Sequence, residues 1–232
     1  MKTDRLVLAV LMAGAALTAA AEDIAKTCPV SEKLRGHELT EWSMYNAAAM
    51  IHNDRPRVML IGDSIVAQYQ GRVSNLLKGK AYMSHWASSY CVTSPIYLKL
   101  LEAFLDDPSK PYDVIHFNNG LHSLSTPPEA YAKRYREAIA LIRRKAPTTK
   151  IVICTSTPLK DAPEKNERVK KLNEIAREVA KENGLEVDDL FALLDPLDRA
   201  QSWSDTYHHK EPTKELEAKQ VAAAVLKPLN LK

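Results

Sequence analysis

From about residue 57 onward, two hydrophobic periods alternate along the chain. Short continuous apolar runs recur at Val58–Ile61, Val114–Phe117 and Ile151–Cys154. Runs of this length, rich in β-branched residues, suit strands of a parallel sheet covered on both faces. Ala81–Trp86 and Leu185–Val187 carry a weaker version of the same pattern. Between the runs, apolar residues fall every three or four positions over Val66–Leu77, Pro95–Leu105, Pro128–Lys145, Lys165–Glu182 and Lys214–Leu226. These segments predict amphipathic helices. Pro95 and Pro128 sit where a first helical turn tolerates proline, and Asn183-Gly184 ends the fourth segment as a left-handed cap. Strand alternating with helix implies right-handed βαβ crossovers, hence an α/β fold: a three-layer α/β/α sandwich around a parallel sheet of about five strands.

In such sheets ligands bind beyond the carboxyl ends of the strands. That directs attention to Gly62-Asp63-Ser64, His85–Ser94, Asn118–Ser123 and Thr155–Pro158. The stretch Thr157–Glu164, with two prolines, reads as a surface loop near those ends.

The N-terminal part differs. Lys2 and Arg5 precede an apolar run from Leu6 to Leu17, and Thr18-Ala19-Ala20-Ala21 follows. The order basic, apolar, small predicts a signal peptide over residues 1–21. The run is shorter than the roughly 20 residues needed to span a bilayer. No cysteine follows the small residues, which argues against a lipid anchor. The expectation is an exported protein, periplasmic or secreted, with no stable membrane anchor after cleavage. Residues 22–55 read as a polar N-terminal extension, with a helical stretch over Leu39–Ile51, and residues 56–232 as the main domain.

Composition changes little in this picture. The 232 residues, 45% hydrophobic and 26% charged, fit one soluble domain. A net charge of +3 is too balanced to imply a nucleic-acid partner. The basic clusters Arg143-Arg144-Lys145 and Lys170-Lys171 fall on helical patterns and read as solvated faces. Of the three cysteines, Cys154 sits in an apolar run and reads as a buried small hydrophobe. Cys28 and Cys91 are the more plausible pair for a disulfide in an oxidising compartment. None has metal-ligand spacing, so no metal is expected.

Chemistry enters at Gly62-Asp63-Ser64. Taken alone it is a capped turn, since Asp and Ser are both good N-caps. A single glycine does not make a phosphate-binding loop. A serine hydroxyl is a weak nucleophile until a positioned His removes its proton. The chain supplies such a group near its end, in Ser204-Asp205-Thr206-Tyr207-His208-His209. With Asp205 and His208 three apart, one turn can set a carboxylate beside an imidazole and fix its tautomer. His209 competes as base, but its offset from Asp205 is one residue longer.

Gly-Asp-Ser after the first strand, with Asp-x-x-His before the last helix, resembles the SGNH/GDSL hydrolase superfamily. The likeness runs from about residue 57 to the C-terminus. It implies a flavodoxin-like sandwich, hydrolysis of esters or thioesters, and no cofactor. Ser64 matches the nucleophile, His208 the base and Asp205 its orienter. The family supplies three oxyanion donors: the nucleophile's N–H, a Gly N–H from a second block, and an Asn from a Gly-x-Asn-Asp block. Here "HFNNGLHS" resembles a bacterial secreted subgroup with Phe-Asn-x-Gly-Leu-His, and aligning Gly120 puts His122 at the Asn position. The implied oxyanion set is therefore Ser64, Asn118 and His122, with Asn119 third; each Asn equally suits satisfying turn backbone. The second block reads "ASSYCVTS", without glycine, and a backbone N–H near Ser89 or Tyr90 is its substitute.

Other polar residues near the strand ends, Thr155 to Thr157, Asn166, Asn173, Asp188 and Asp189, read as structural. Trp203 and Tyr207 flank the Asp-His pair and are candidates for an aromatic wall, Trp203 suiting the core equally, whereas Trp86 reads as core. The resulting expectation is a serine esterase that removes a small acyl group, most simply O-acetyl, from a carbohydrate or other small acyl ester. A lipid-acyl hydrolase or thioesterase is one rival, and a glycan-binding pseudoenzyme is the other.

Overall fold

In the computed structural model, residues 40–106 and 111–231 are described. The predicted signal peptide and Cys28 lie outside them. Six strands form one mixed sheet: β1 (Ser43–Asn46), β2 (Arg57–Gly62), β3 (Tyr82–Ser88), β4 (Val114–Phe117), β5 (Lys150–Cys154) and β6 (Glu186–Asp188), in the order β1-β3-β2-β4-β5-β6. β2 to β6 are mutually parallel where they pair. Among these five the chain starts inside the sheet and winds outward both ways, as in flavodoxin-like folds. The helices are α1 (Ser64–Leu76), α2 (Tyr97–Leu105), α3 (Pro128–Lys145), α4 (Pro163–Glu182), the short α5 (Leu190–Leu194) and α6 (Arg199–Ser202), and α7 (Glu211–Leu226).

The strand period of two sorts the core onto two faces. Met59, Ile61, Ile115, Phe117, Ile151 and Ile153 point one way and pack under α2, α3 and α4. Val58, Leu60, Val114, Val152 and Cys154 point the other way, under α1, α5 and α7. Both faces of these strands are covered, which is why they read as runs that are mostly apolar, with His116 the buried polar exception in β4. α3 and α4 open on Pro128 and Pro163, and Gly184, at φ +61°, follows the end of α4 in the expected left-handed conformation. No helix among the described residues is long and apolar enough to cross a membrane.

Two expectations are corrected. The sheet has six strands rather than about five, and it is mixed, because β1 pairs antiparallel with the outer edge of β3. β1 comes from the stretch expected to be helical. Tertiary pairing overrides the local period here: β3 offers an open row of backbone groups, and side chains seal the match. The Trp86 indole N–H donates to Ser43 Oγ at 2.9 Å, and Tyr45 stacks on Phe104 with centroids 4.3 Å apart. Asn46 then ends the strand by accepting from the Ala48 N–H at 2.8 Å. Cys91 is buried, with its Sγ 3.2 Å from Thr93 Oγ1; Cys28, its expected disulfide partner, lies outside the described residues. The two basic clusters do lie on solvated helix faces, with Lys170 and Lys171 paired to Glu167 and Glu174 at i,i±3 spacing.

Candidate active site

β2 ends at the point where its neighbours β3 and β4 diverge, and the chain turns there into α1. Gly62 makes the turn possible: a Cβ at this position would lie 2.4 Å from Val66 Cγ2. Asp63 is the N-cap, its Oδ1 accepting from the Ile65 N–H at 2.9 Å. Ser64 is thus the first helical residue. Its own N–H has no intrahelical acceptor and sits at the positive end of the helix dipole. Asp63 is buried, and Oδ2 has no partner. Burial pushes its carboxyl up, against the opposing pull of His122 and His208.

The other half of the site is the loop between α6 and α7. Trp203 and His209 form an isolated antiparallel bridge, and the Ser204 N–H donates to the His208 carbonyl at 2.9 Å. Inside this turn Asp205 Oδ1 accepts from the N–H groups of Tyr207 and His208, both at 2.8 Å. That local turn explains the three-residue spacing. It leaves the carboxylate against the ring: His208 Nδ1 is 2.9 Å from Oδ2 and 3.1 Å from Oδ1. Desolvation pulls the Asp205 carboxyl upward, but the two backbone N–H groups and the His208 ring outweigh it and hold it below the ordinary range. An ionised carboxylate only accepts, so Nδ1 carries the proton and the Nε2 lone pair is available. Nε2 lies 2.9 Å from Ser64 Oγ. Oγ–H can therefore donate to Nε2, and the three side chains form one continuous chain of hydrogen bonds.

Ser64 and His208 open onto a cleft of about 300 Å³ that is also lined by Trp42, Leu121, His122 and Tyr207. His122 stands on a 3-10 turn, Leu121–Ser123, held low by Gly120, where a Cβ would fall 1.8 Å from Ser156 Oγ. The His122 ring meets Trp42 edge-on at 6.1 Å. Trp42 lies just before β1, in the stretch read as helical, and was not among the sequence candidates. The Trp42 N–H donates to Ser89 Oγ at 2.8 Å, and the Ser89 N–H donates to the Trp42 carbonyl at 3.0 Å. The glycine-free second block therefore serves to dock this tryptophan.

Not every predicted site residue reaches the cleft. Asn118 spends both amide hydrogens on the Cys154 carbonyl (2.9 Å) and Ser156 Oγ (3.0 Å), so it has none left for an oxyanion. Asn119 ties the Val92 N–H, the Tyr90 carbonyl and Ser123 Oγ together. Asn119 matches the turn-satisfying alternative, whereas Asn118 ties the end of β4 to β5 and the residues after it. Because the Ser89 N–H is spent, Tyr90 is left as the second-block candidate. Trp203 is fully buried, with its indole N–H donating to the Pro158 carbonyl at 3.1 Å, so it is core and not wall. Trp86 is core as expected, and Tyr207 alone of the three lines the cleft. Asn173 and Asn166 brace loop backbone, and Thr155 bonds Asp189, as structural residues do.

Among the described residues the one donor set with metal-ligand character is His116, Cys154 and Asp188, within 4.8 Å of each other and fully enclosed. Its carboxylate already serves His116 Nε2 at 2.8 Å and Gln220 Nε2 at 2.7 Å, so these residues form a structural tie between β4, β6 and α7.

Comparison with known proteins places this geometry. Residues 60–212 match the GDSL-like lipase/acylhydrolase family. Curated protein sequences give no match. Solved structures share the fold at low identity. The acetyl xylan esterase AlAXEase is 18% identical, with TM-score 0.59, over 73% of this chain and 99% of its own. A lipolytic G-D-S-L family protein from Veillonella parvula is 16% identical, with TM-score 0.62, over 72% and 96%. A catalytic mutant of an acetylxylan esterase from Geobacillus stearothermophilus is 15% identical, with TM-score 0.56, over 76% and 95%.

A carboxyl held low keeps its charge, and its grip on His208, above the ordinary Asp value of about 3.9, and loses both only as pH falls below it. Carbon-detected NMR titration of Asp205 is expected to show a midpoint below that value. A midpoint at or above it contradicts the hydrogen bonding described.

Proposed function

The chain belongs to the GDSL-like lipase/acylhydrolase family and is an ester hydrolase, and we propose that it is an exported serine esterase that removes O-acetyl groups from a carbohydrate. The observation that carries this reading is the unbroken sequence Ser64 Oγ, His208 Nε2, His208 Nδ1, Asp205, whose Ser64 and His208 line an open cleft.

In this mechanism Ser64 Oγ attacks the ester carbonyl while His208 Nε2 takes its proton. Asp205 holds the ring and stabilises the imidazolium. The Ser64 N–H and His122 face the developing oxyanion, a role worth about 2.7–4 kcal/mol per donor. The alcohol leaves with the proton from His208. Water, deprotonated in turn by His208, then releases the acyl group from Ser64.

Three features support a small acyl group on a sugar. The cleft is compact, at about 300 Å³. Trp42 and Tyr207 bring two aromatic rings to it, the surface that sugar rings pack against. AlAXEase and the Geobacillus enzyme, which share the fold, are acetyl xylan esterases by name. The basic, apolar, small order of residues 1–21 supports export to the periplasm or beyond.

The mature protein is expected to hydrolyse p-nitrophenyl acetate faster than p-nitrophenyl octanoate, and Ser64→Ala is expected to abolish both. Turnover of neither ester in a Ser64-dependent way overturns the hydrolase mechanism in favour of a glycan-binding protein; preference for octanoate moves the substrate to lipid acyl chains. His122→Ala is expected to lower kcat by about 10²–10³ with little change in KM; an unchanged kcat removes His122 from the oxyanion site. Trp42→Ala is expected to raise KM for an acetylated oligosaccharide about tenfold, some 1.4 kcal/mol, while sparing p-nitrophenyl acetate. Equal effects on both substrates contradict the sugar platform.

A further inference from the structure

His208 faces the cleft, but the residue after it faces the core. His209 is fully buried, its ring edge-on to Trp203 with centroids 4.8 Å apart. Beside it lies a second fully buried ionisable group, Glu217 of α7, with Oε1 3.0 Å from His209 Nδ1. Gln68 closes the group from α1. Its Oε1 accepts from the His209 backbone N–H at 3.2 Å. Its Nε2 lies 2.9 Å from His209 Nδ1 and 3.3 Å from Glu217 Oε2. The backbone N–H is only a donor, so the amide orientation of Gln68 follows from its partners.

Burying a His-Glu pair is a poor way to gain stability, since apolar residues of the same volume do as well or better. The position of the pair suggests another use. Gln68 is four residues after Ser64, one turn along the same helix face. His209 adjoins His208, and Glu217 stands on the helix that follows their loop. The three residues thus join the element that carries Ser64, the loop that carries His208 and the helix behind both. Holding the ring and backbone N–H of His209 fixes the chain direction at His208, and so the reach of Nε2 to Ser64 Oγ.

We propose that Gln68, with His209 and Glu217, is a positioning residue that sets the His208–Ser64 distance without touching substrate. The proposal rests on the reading of Ser64 and His208 as nucleophile and base. A misplacement of about 1 Å at such a contact can cost about 10²-fold in rate.

The test pairs esterase kinetics with the rate at which a fluorophosphonate labels Ser64. Gln68→Met keeps the length of the side chain and removes its hydrogen bonds. It is expected to lower kcat and the labelling rate together by about 10–100-fold, with KM within about twofold. Val73→Ala, on the same helix and buried away from the loop, serves as the stability control. Should Gln68→Met fail to fold, Glu217→Gln and Glu217→Met replace it: the amide keeps an acceptor for Gln68 and is expected to retain most of kcat, whereas Met is expected to lose it. A wild-type kcat in Gln68→Met, equal activity of the two Glu217 variants, or a loss that Val73→Ala matches at equal Tm overturns the brace. Wild-type protein that is not labelled at Ser64 overturns instead the nucleophile assignment on which the brace rests.

Discussion

One hydrogen bond of 2.9 Å, from Ser64 Oγ to His208 Nε2, joins residues 144 apart in sequence. Neither partner can reach the other through local structure, so the fold has to bring the start of α1 and the loop before α7 side by side. β2 lies in the interior of the sheet, with β3 on one side and β4 on the other, and its carboxyl end is where the crossovers part. α1 leaves from that point. α7 packs beside α1 on the same face, sharing the core of Val66, Tyr69, Val73, Val221 and Val225. The loop entering α7 is thereby delivered over the start of α1. A sheet with a different strand order would leave Ser64 and His208 as separate caps and turns.

At Asp63 and Ser64 the helix cap and the presentation of the serine hydroxyl are one structure. The Asp63 carboxyl satisfies the Ile65 N–H, and the first residue of the helix turns its hydroxyl to His208. Capping alone would be served by an exposed carboxylate. Asp63 is buried instead, with one oxygen unpartnered, under the electrostatic influence of both His122 and His208. Helix initiation and site electrostatics therefore share a residue, and the short spacing of Gly62, Asp63 and Ser64 follows from that economy.

Much of this was legible in the chain, and what was not has identifiable causes. The buried strands and long helices declared themselves through period, because a strand covered on both faces is largely apolar. Asp205 and His208 were legible because a three-residue turn is a local fact. β1 was not, since the pairing of Ser43–Asn46 with β3 is a tertiary event that no local period records. Trp42 was missed for the same reason: only its docking on Ser89 brings it to the cleft. Trp203 and Asn118 stayed undecided between two roles, because the sequence shows that a side chain can donate but not which carbonyl is near. α5 and α6 are too short to show a period, and their N-caps, Asp189 and Asp198, emerge only in the structure.

The two faces of the sheet differ in emphasis. Under α2, α3 and α4 the core is rich in aromatic residues, with Trp86 against Tyr97 and Phe117 against Tyr135. Under α1 and α7 the apolar core is interrupted by enclosed polar groups: Asp63, the tie of His116 with Asp188 and Gln220, and the pair of His209 with Glu217. Such groups weaken a core that has only to be stable, and they fix relative placement in one that has to be accurate. Buried polar groups occur on the other face too, Arg57, Ser84 and Asn173 among them, but the His116–Asp188–Gln220 and His209–Glu217 groups tie separate elements together behind Ser64 and His208. On this view Gln68 and Glu217 belong to the site as much as the residues that line its cleft, although neither is exposed to a substrate.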